Sequence, residues 1–142
     1  MADQHHASKA GSKYEKELVD LVKSFNLTIN PKKQIRDLPA SYKEAGFQFF
    51  WDDGSVPDAN IDHIELKGGE KNGTTHEKLM FDLEKIRDGV YKGNLLYIFK
   101  GIMETHKVTK LFIRKLSTLN LPNVQVMMYS DLTKETLLNV FA

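Results

Sequence analysis

Apolar positions recur along this chain in two rhythms, one helical and one strand-like, and the two alternate. Tyr14, Leu18, Leu21, Val22 and Phe25 fall at helical spacing just behind Ser12 and Glu15. That pair forms an S-x-x-E capping box, which predicts a helix from Ser12 to about Ser24. From Ile29 to Gly46 the pattern is mixed, with Pro31, Pro39 and a basic cluster at Lys32, Lys33 and Arg36, and an extended segment or irregular strand is expected. Phe47 to Trp51 is aromatic and strand-like, and Asp52-Asp53-Gly54-Ser55 after it has the composition of a turn. A second strand is expected from about Ile61 to Lys67, closed by Gly68-Gly69, the two runs pairing as an antiparallel hairpin with a long connection.

Thr74 and Glu77 repeat the capping box ahead of Leu79, Met80, Leu83, Ile86 and Val90, which predict a second amphipathic helix ended by Gly89 or Gly93. Leu95-Leu96-Tyr97-Ile98-Phe99 is apolar at every position, so a strand covered on both faces is expected. Val108, Leu111, Phe112, Leu116 and Leu119 predict a third helix stopping near Pro122, Val124 to Tyr129 a strand, and Thr133 to Phe141 a short last helix. The order is an α/β one: a mixed central sheet with helices on both faces.

Length adds that 142 residues make one domain with one core. Residues 1–11, small and polar with His5 and His6 adjacent, are expected to be a flexible arm, and 12–142 the single domain. The absence of cysteine excludes disulfides, thiolate metal sites and a cysteine nucleophile. The longest purely apolar run, Leu95 to Phe99, is far short of the roughly 18 residues of a membrane span. Met1-Ala2-Asp3-Gln4-His5-His6 lacks the pattern of a signal peptide, so a cytoplasmic chain with no membrane partner is expected. Twenty Lys and Arg against nineteen Asp and Glu leave a net charge of +1, so any nucleic-acid binding must come from a local basic face.

Candidate chemistry concentrates in Val56-Pro57-Asp58-Ala59-Asn60-Ile61-Asp62-His63-Ile64-Glu65-Leu66-Lys67. On a strand Glu65 and Lys67 share one face, and Ile64 and Leu66 the other. Asp58, ahead of the strand, is expected to bring a second carboxylate to Glu65. Asp62 has the parity of Ile64 and should point away, and Asp52 and Asp53 are read as turn residues first and metal ligands only as a fallback. A Glu-x-Lys pair alone is common on exposed strands and means little. Two carboxylates with a lysine, however, are what metal-assisted phosphodiester hydrolysis requires: hard oxygen ligands for Mg²⁺, and a cation to orient or deprotonate water and to offset developing charge.

Pro57-Asp58 followed seven residues on by Glu65-Leu66-Lys67 resembles the PD-(D/E)XK nuclease signature, and looks most like the mismatch-repair nicking endonuclease and related type II restriction enzymes. Gly11-Ser12-Lys13-Tyr14-Glu15-Lys16-Glu17-Leu18 resembles the first helix of archaeal Holliday-junction resolvases. The resemblance covers roughly residues 12–130, and the element order is similar to that superfamily's αβββαβ core. It implies a restriction-endonuclease-like fold and a Mg²⁺-dependent DNA endonuclease, with Mn²⁺ able to substitute, acting on double-stranded or branched DNA. Asp58 and Glu65 would ligate the metal, the Leu66 carbonyl would add a ligand, and Lys67 would activate water. Glu15 would join the metal site or serve only the capping box. Double-strand cutting would imply a homodimer, its interface at the aromatic Phe47–Trp51 run or the third helix.

For DNA contacts, Lys71, Thr74 and Lys78 sit in or after a Gly- and Thr-containing loop that leads into the second helix, whose N-terminus could take a phosphate. Lys32, Lys33 and Arg36 could cross phosphates. His63 could line the cleft or be a half-buried sheet histidine, His76 is expected to be exposed, and Lys107, Lys110, Arg114 and Lys115 read as the outer face of the third helix. A type II restriction-like enzyme is the expected function. A Holliday-junction resolvase is the alternative, favoured by the first-helix pattern and size but opposed by the near-neutral charge. A catalytically silent DNA-binding module is opposed by the intact Asp58, Glu65 and Lys67.

Overall fold

The structure is a computed structural model that describes the backbone of residues 2–69 and 75–142 and the side chains of residues 13–69 and 77–142. Its order is α1 (Ala2–Ser24), β1 (Gln34–Ile35), α2 (Ala40–Glu44), β2 (Phe50–Trp51), β3 (His63–Gly69), α3 (Thr75–Arg87), β4 (Leu95–Gly101), α4 (Lys107–Ser117), β5 (Val124–Met128) and α5 (Lys134–Asn139). The chain is α/β, but the main sheet is not mixed. It has three parallel strands in the order β3-β4-β5, with α3 and α4 as the crossovers that parallel neighbours require. Antiparallel pairing is confined to a two-stranded ladder, with Gln34 opposite Trp51 and Ile35 opposite Phe50.

The sheet is covered on both faces. Leu95, Tyr97 and Phe99 pack with Leu79, Leu83 and Ile86 of α3 and with Phe112 and Leu116 of α4. Leu96 and Ile98, pointing the other way, join Ile64 and Leu66 of β3, Leu18 and Val22 of α1, and Leu137 of α5. Leu95 to Phe99 are fully buried, as an all-apolar run requires. The stripe from Leu18 to Phe25 packs α1 on this second face, and the helix closes on Asn26 in the left-handed region (φ 61°).

α1 begins at Ala2, so Ser12 and Glu15 lie inside it and not at a cap. Ala2, Ala7 and Ala10 favour helix, no proline interrupts them, and Gly11 alone costs only about 1 kcal/mol. Thr74, the other expected cap, lies outside the described residues. Among the described residues no helix is long and apolar enough to cross a membrane.

The expected hairpin of Phe47–Trp51 with Ile61–Lys67 does not form, since β2 pairs with β1; the segment that turns back along the start of β3 is residues 53–56. Its turn is Pro57–Ala59, completed by Asn60 in the left-handed region (φ 57°), and an antiparallel bridge joins Val56 to Ile61. Upstream, Asp53 N–H donates to the Ile64 carbonyl at 2.7 Å and Ile64 N–H to the Gly54 carbonyl at 2.8 Å. Residues 53–56 therefore run along the start of β3, and the β1–β2 ladder is stitched to the main sheet beside Glu65. Gly54 is needed for close approach: a Cβ there would meet the Asn30 carbonyl at 2.9 Å.

Candidate active site

β3 sets the site. Its pleat turns Ile64 and Leu66 into the α1 face and directs Glu65 and Lys67 to the α3 face, where Glu65 is only 5% exposed. Glu65 stands opposite Tyr97 of β4 in the register. Tyr91 donates its hydroxyl proton to Glu65 Oε1 at 2.8 Å, and Lys67 Nζ lies 3.9 Å from Oε2. Lys67 Nζ also lies 3.4 Å from Asp82 Oδ2 on α3, and Lys85 Nζ lies 3.1 Å from Asp82 Oδ1. The Tyr97 hydroxyl donates to Asp82 as well.

The second carboxylate is that of Asp53. Its Oδ2 accepts the Leu66 N–H at 2.7 Å, which places it against the backbone between Glu65 and Lys67. Burial pushes the Asp53 carboxyl up to about 6, with Glu15 and Asp52 adding to the shift and the Leu66 N–H and Lys67 opposing it. Burial likewise pushes Glu65 up to about 8, Asp53 and Asp82 adding and Lys67 and Lys85 opposing. Lys67 goes the other way from what burial alone would do: Glu65, Asp82 and Asp53 outweigh it and hold the ammonium above its ordinary range. The cluster thus has more carboxylate than its two lysines neutralise.

Asp58 does not join this cluster. It is exposed on the Pro57–Ala59 turn, and its Oδ2 accepts the Thr28 N–H at 3.0 Å. The reason is register: counting back from the Val56–Ile61 bridge sets residue 53, not 58, opposite residue 64. Asp62 points away from Glu65, as its parity predicts, and accepts the Asn94 N–H at 2.7 Å. Glu15 is on α1 within electrostatic reach of Asp53. Gly68 permits this approach, since a Cβ there would stand 2.8 Å from the ring of Tyr14.

Asp52 and His63 form a separate buried pair. Asp52 Oδ2 accepts from Lys33 Nζ at 2.7 Å and lies 2.8 Å from His63 Nδ1, while Oδ1 accepts the N–H groups of Lys33 and Gly54. His63 Nε2 meets the Lys92 carbonyl at 2.9 Å, so the ring is a buried sheet histidine with both nitrogens engaged. Lys33 is thereby a structural residue. Lys32 and Arg36 lie on the outer side of the ladder, over the rings of Trp51 and Phe49. Lys78 is exposed on α3, as are Lys107, Lys110, Arg114 and Lys115 on α4. Lys71, Thr74 and the His76 side chain lie outside the described residues.

Sequence reasoning missed Asp82, Lys85, Tyr91 and Tyr97. Asp82 had a signal: with Leu79, Leu83 and Ile86 it falls on the buried stripe of its helix, where a carboxylate has no business unless partnered. Asp53 and Glu65 could hold a hard divalent cation. Among the described residues no three His, Asp or Glu side chains gather to hold an ion alone, but two carboxylates with water are the usual protein share of a Mg²⁺ site. Comparison with protein-family models, with curated proteins and with solved structures found no match for the chain.

Proposed function

We propose that this chain is a Mg²⁺-dependent DNA endonuclease of the PD-(D/E)XK kind on a restriction-endonuclease-like core, with Asp53, Glu65 and Lys67 as its working set. One observation carries the reading: a buried carboxylate, Glu65, and a half-buried one, Asp53, from adjacent segments of the chain converge beside a lysine, and both are held as reluctant anions. A divalent cation is the group that would relieve them, and oxygen-only donors suit Mg²⁺ with Mn²⁺ as a substitute. The order α1, β1, β2, β3, α3, β4, with the short α2 inserted between β1 and β2 and those two strands in a ladder of their own, is similar to the αβββαβ core that the Glu65-Leu66-Lys67 resemblance implies.

Asp53, Glu65 and the Leu66 carbonyl would hold the ion. When bound, it supplies Lewis-acid charge against the negative charge that develops on a phosphodiester under attack. Lys67, kept protonated by Glu65, Asp82 and Asp53, orients the attacking water and donates to a phosphate oxygen, and its role is that of a cation and not a base. Asp82, itself fixed by Lys85 and the Tyr97 hydroxyl, positions the Lys67 ammonium. The Tyr91 hydroxyl fixes one Glu65 oxygen and leaves the other toward Lys67. Glu15, beside Asp53, adds negative charge that favours the cation.

The test is cleavage of supercoiled plasmid and of a synthetic four-way junction in Mg²⁺, Mn²⁺ or EDTA. Metal-dependent cutting that is lost in Asp53→Asn and Glu65→Gln, and kept in Asp58→Asn, is expected. No cutting of either DNA in either metal overturns the reading. Cutting that depends on Asp58 and not on Asp53 overturns the site.

A further inference from the structure

Pleat alternation gives the β1–β2 ladder two unlike faces. Inward, Ile35 is buried, and Phe50 packs against the rings of Tyr42 and Phe81. Outward stand Lys32, Gln34 and Arg36 on one segment and Phe49 and Trp51 on the other. An outward sheet face is normally polar, yet Trp51 is 48% exposed and meets Phe49 edge to face at 5.9 Å. Lys32 Nζ lies 5.3 Å from the Trp51 ring centroid and the Arg36 guanidinium 4.8 Å from that of Phe49. Arg36 Nε is steadied by Gln34 Oε1 at 2.7 Å.

These two cations differ from the other lysines and arginines near the site. Lys33, Lys67, Lys85 and Lys92 each bond or pair with a carboxylate, whereas among the described residues Lys32 and Arg36 form no ion pair. Their positive charge is uncompensated and sits on aromatic faces. The complementary ligand has flat π-systems to stack and anions spaced along a chain. Single-stranded nucleic acid offers both, while a duplex hides the base faces.

We propose that the outer face of the β1–β2 ladder, formed by Lys32, Arg36, Phe49 and Trp51, binds the unpaired nucleotides of a DNA strand. Bases stack on the two rings and phosphates take the two cations. A base that occupies a ring displaces the cation now lying over it, and the freed cation turns to the adjoining phosphate. Trp51 is two residues before Asp53 on one segment, roughly 7 Å along an extended chain. A strand held on this face therefore lies close to Asp53, at the edge of the proposed site. Resting on the nuclease reading for that last step, the inference names the substrate class: DNA with an unpaired segment beside the cut, such as a flap or a branch.

Trp51 is the sole tryptophan, so its fluorescence reports on this face alone. The experiment titrates the full chain in EDTA with a 12-nucleotide oligo(dT) and with a blunt 12-base-pair duplex, reading tryptophan fluorescence and the anisotropy of labelled DNA. Saturable quenching by oligo(dT), with the duplex binding at least several-fold more weakly, is expected. Trp51→Ala lowers oligo(dT) affinity about tenfold, and Trp51→Phe recovers most of it. Lys32→Ala with Arg36→Ala lowers the slope of log affinity against log salt by about 1.4, as two lost phosphate contacts require.

Equal affinity for the duplex, or oligo(dT) binding that neither quenches Trp51 nor weakens in Trp51→Ala, overturns the proposal. So does sedimentation showing a dimer of the free protein that Trp51→Ala dissociates, for the face then joins two copies of the chain. If oligo(dT) binds through Trp51 but no DNA is cut in Mg²⁺ or Mn²⁺, the binding face stands and the nuclease reading falls. If DNA is cut but Trp51 takes no part in binding it, the reverse holds.

Discussion

Asp52 and Asp53 are neighbours in the chain, the first buried and the second half-buried, and their environments push them in opposite directions. Burial works against the charge of Asp52, but the His63 and Lys33 bonds more than offset it and hold the carboxyl below its ordinary range. Asp53 has one backbone N–H and a share of Lys67, and burial holds it well above. A carboxylate with all its acceptor capacity met by the protein serves the fold, and needs nothing more. One that is buried with too few donors leaves room for an added cation, which is the condition of a site and not of a core. The same contrast separates two clusters beside the ladder: Asp52, with His63 and Lys33, ties the ladder to β3, while Asp53 and Glu65 share Lys67 with Asp82 and remain short of positive charge.

The contrast is broken most severely by removing charge on the underpaired side. Glu65→Gln is expected to lower metal-dependent cleavage by on the order of a thousandfold, the scale on which a group acting directly on transition-state charge is felt. Thermal unfolding in EDTA should meanwhile show the variant as stable as the parent or more so, because the lost charge was disfavoured. Lost activity accompanied by a large fall in Tm would mean that Glu65 is a structural residue. On the fully paired side, Asp52→Ala strands His63 and Lys33 and should cost about 3–5 kcal/mol, read by urea unfolding. A loss under 1 kcal/mol would remove the distinction drawn between the two aspartates.

Proton linkage sharpens the comparison without altering the site. The unfolded chain gives up the Glu65 proton near the ordinary 4.5 and the folded chain near 8. Between those values the folded state binds more protons, so stability falls as pH rises and levels off above about 8. Asp53 acts in the same sense between 3.8 and about 6. Glu65→Gln removes the larger part of the slope. The unfolding free energy of the parent in EDTA should therefore fall relative to that of Glu65→Gln from pH 5 to pH 8.5, by up to about 4 kcal/mol. Adding Mg²⁺ should restore the parent more at pH 8.5 than at pH 5, where protons compete for the same oxygens. A difference independent of pH would show that Glu65 is not held as a reluctant anion.

The parts legible in the sequence were those in which one local signal decides. Leu95 to Phe99 has no polar position, so it had to be a strand buried on both faces. The stripe of α1, the Lys107–Ser117 helix and the Glu65–Lys67 alternation depend only on period. The partner of Glu65 depends on register, which is set by where the chain turns. Asp52-Asp53-Gly54-Ser55 carries turn residues, but Gly54 is there for the close approach of Asn30, and the turn is Pro57 to Asn60. Choosing the wrong turn exchanged Asp53 for Asp58 and paired β2 with β3 in place of β1. The short α2 was hidden for a similar reason, since Pro39 reads as a breaker where it opens a helix, a position in which its missing N–H costs nothing.

The smallest expected effect falls on the residue that the signature itself points to. Asp58 is exposed and accepts one backbone N–H, from Thr28, so Asp58→Ala removes a single bond whose donor water can then satisfy. The cost should be about 0.5–1 kcal/mol in urea unfolding, with cleavage within twofold of the parent. Asp53→Asn, by contrast, changes one atom and keeps the shape, yet should remove metal-dependent cleavage. If the two results came out reversed, the hairpin would have to pair with its turn elsewhere than at Pro57 to Asn60, and the Asp53 N–H could not reach the Ile64 carbonyl. The ratio of the two activities is therefore a direct assay of strand register, obtained from chemistry at a site several residues away from the turn that sets it.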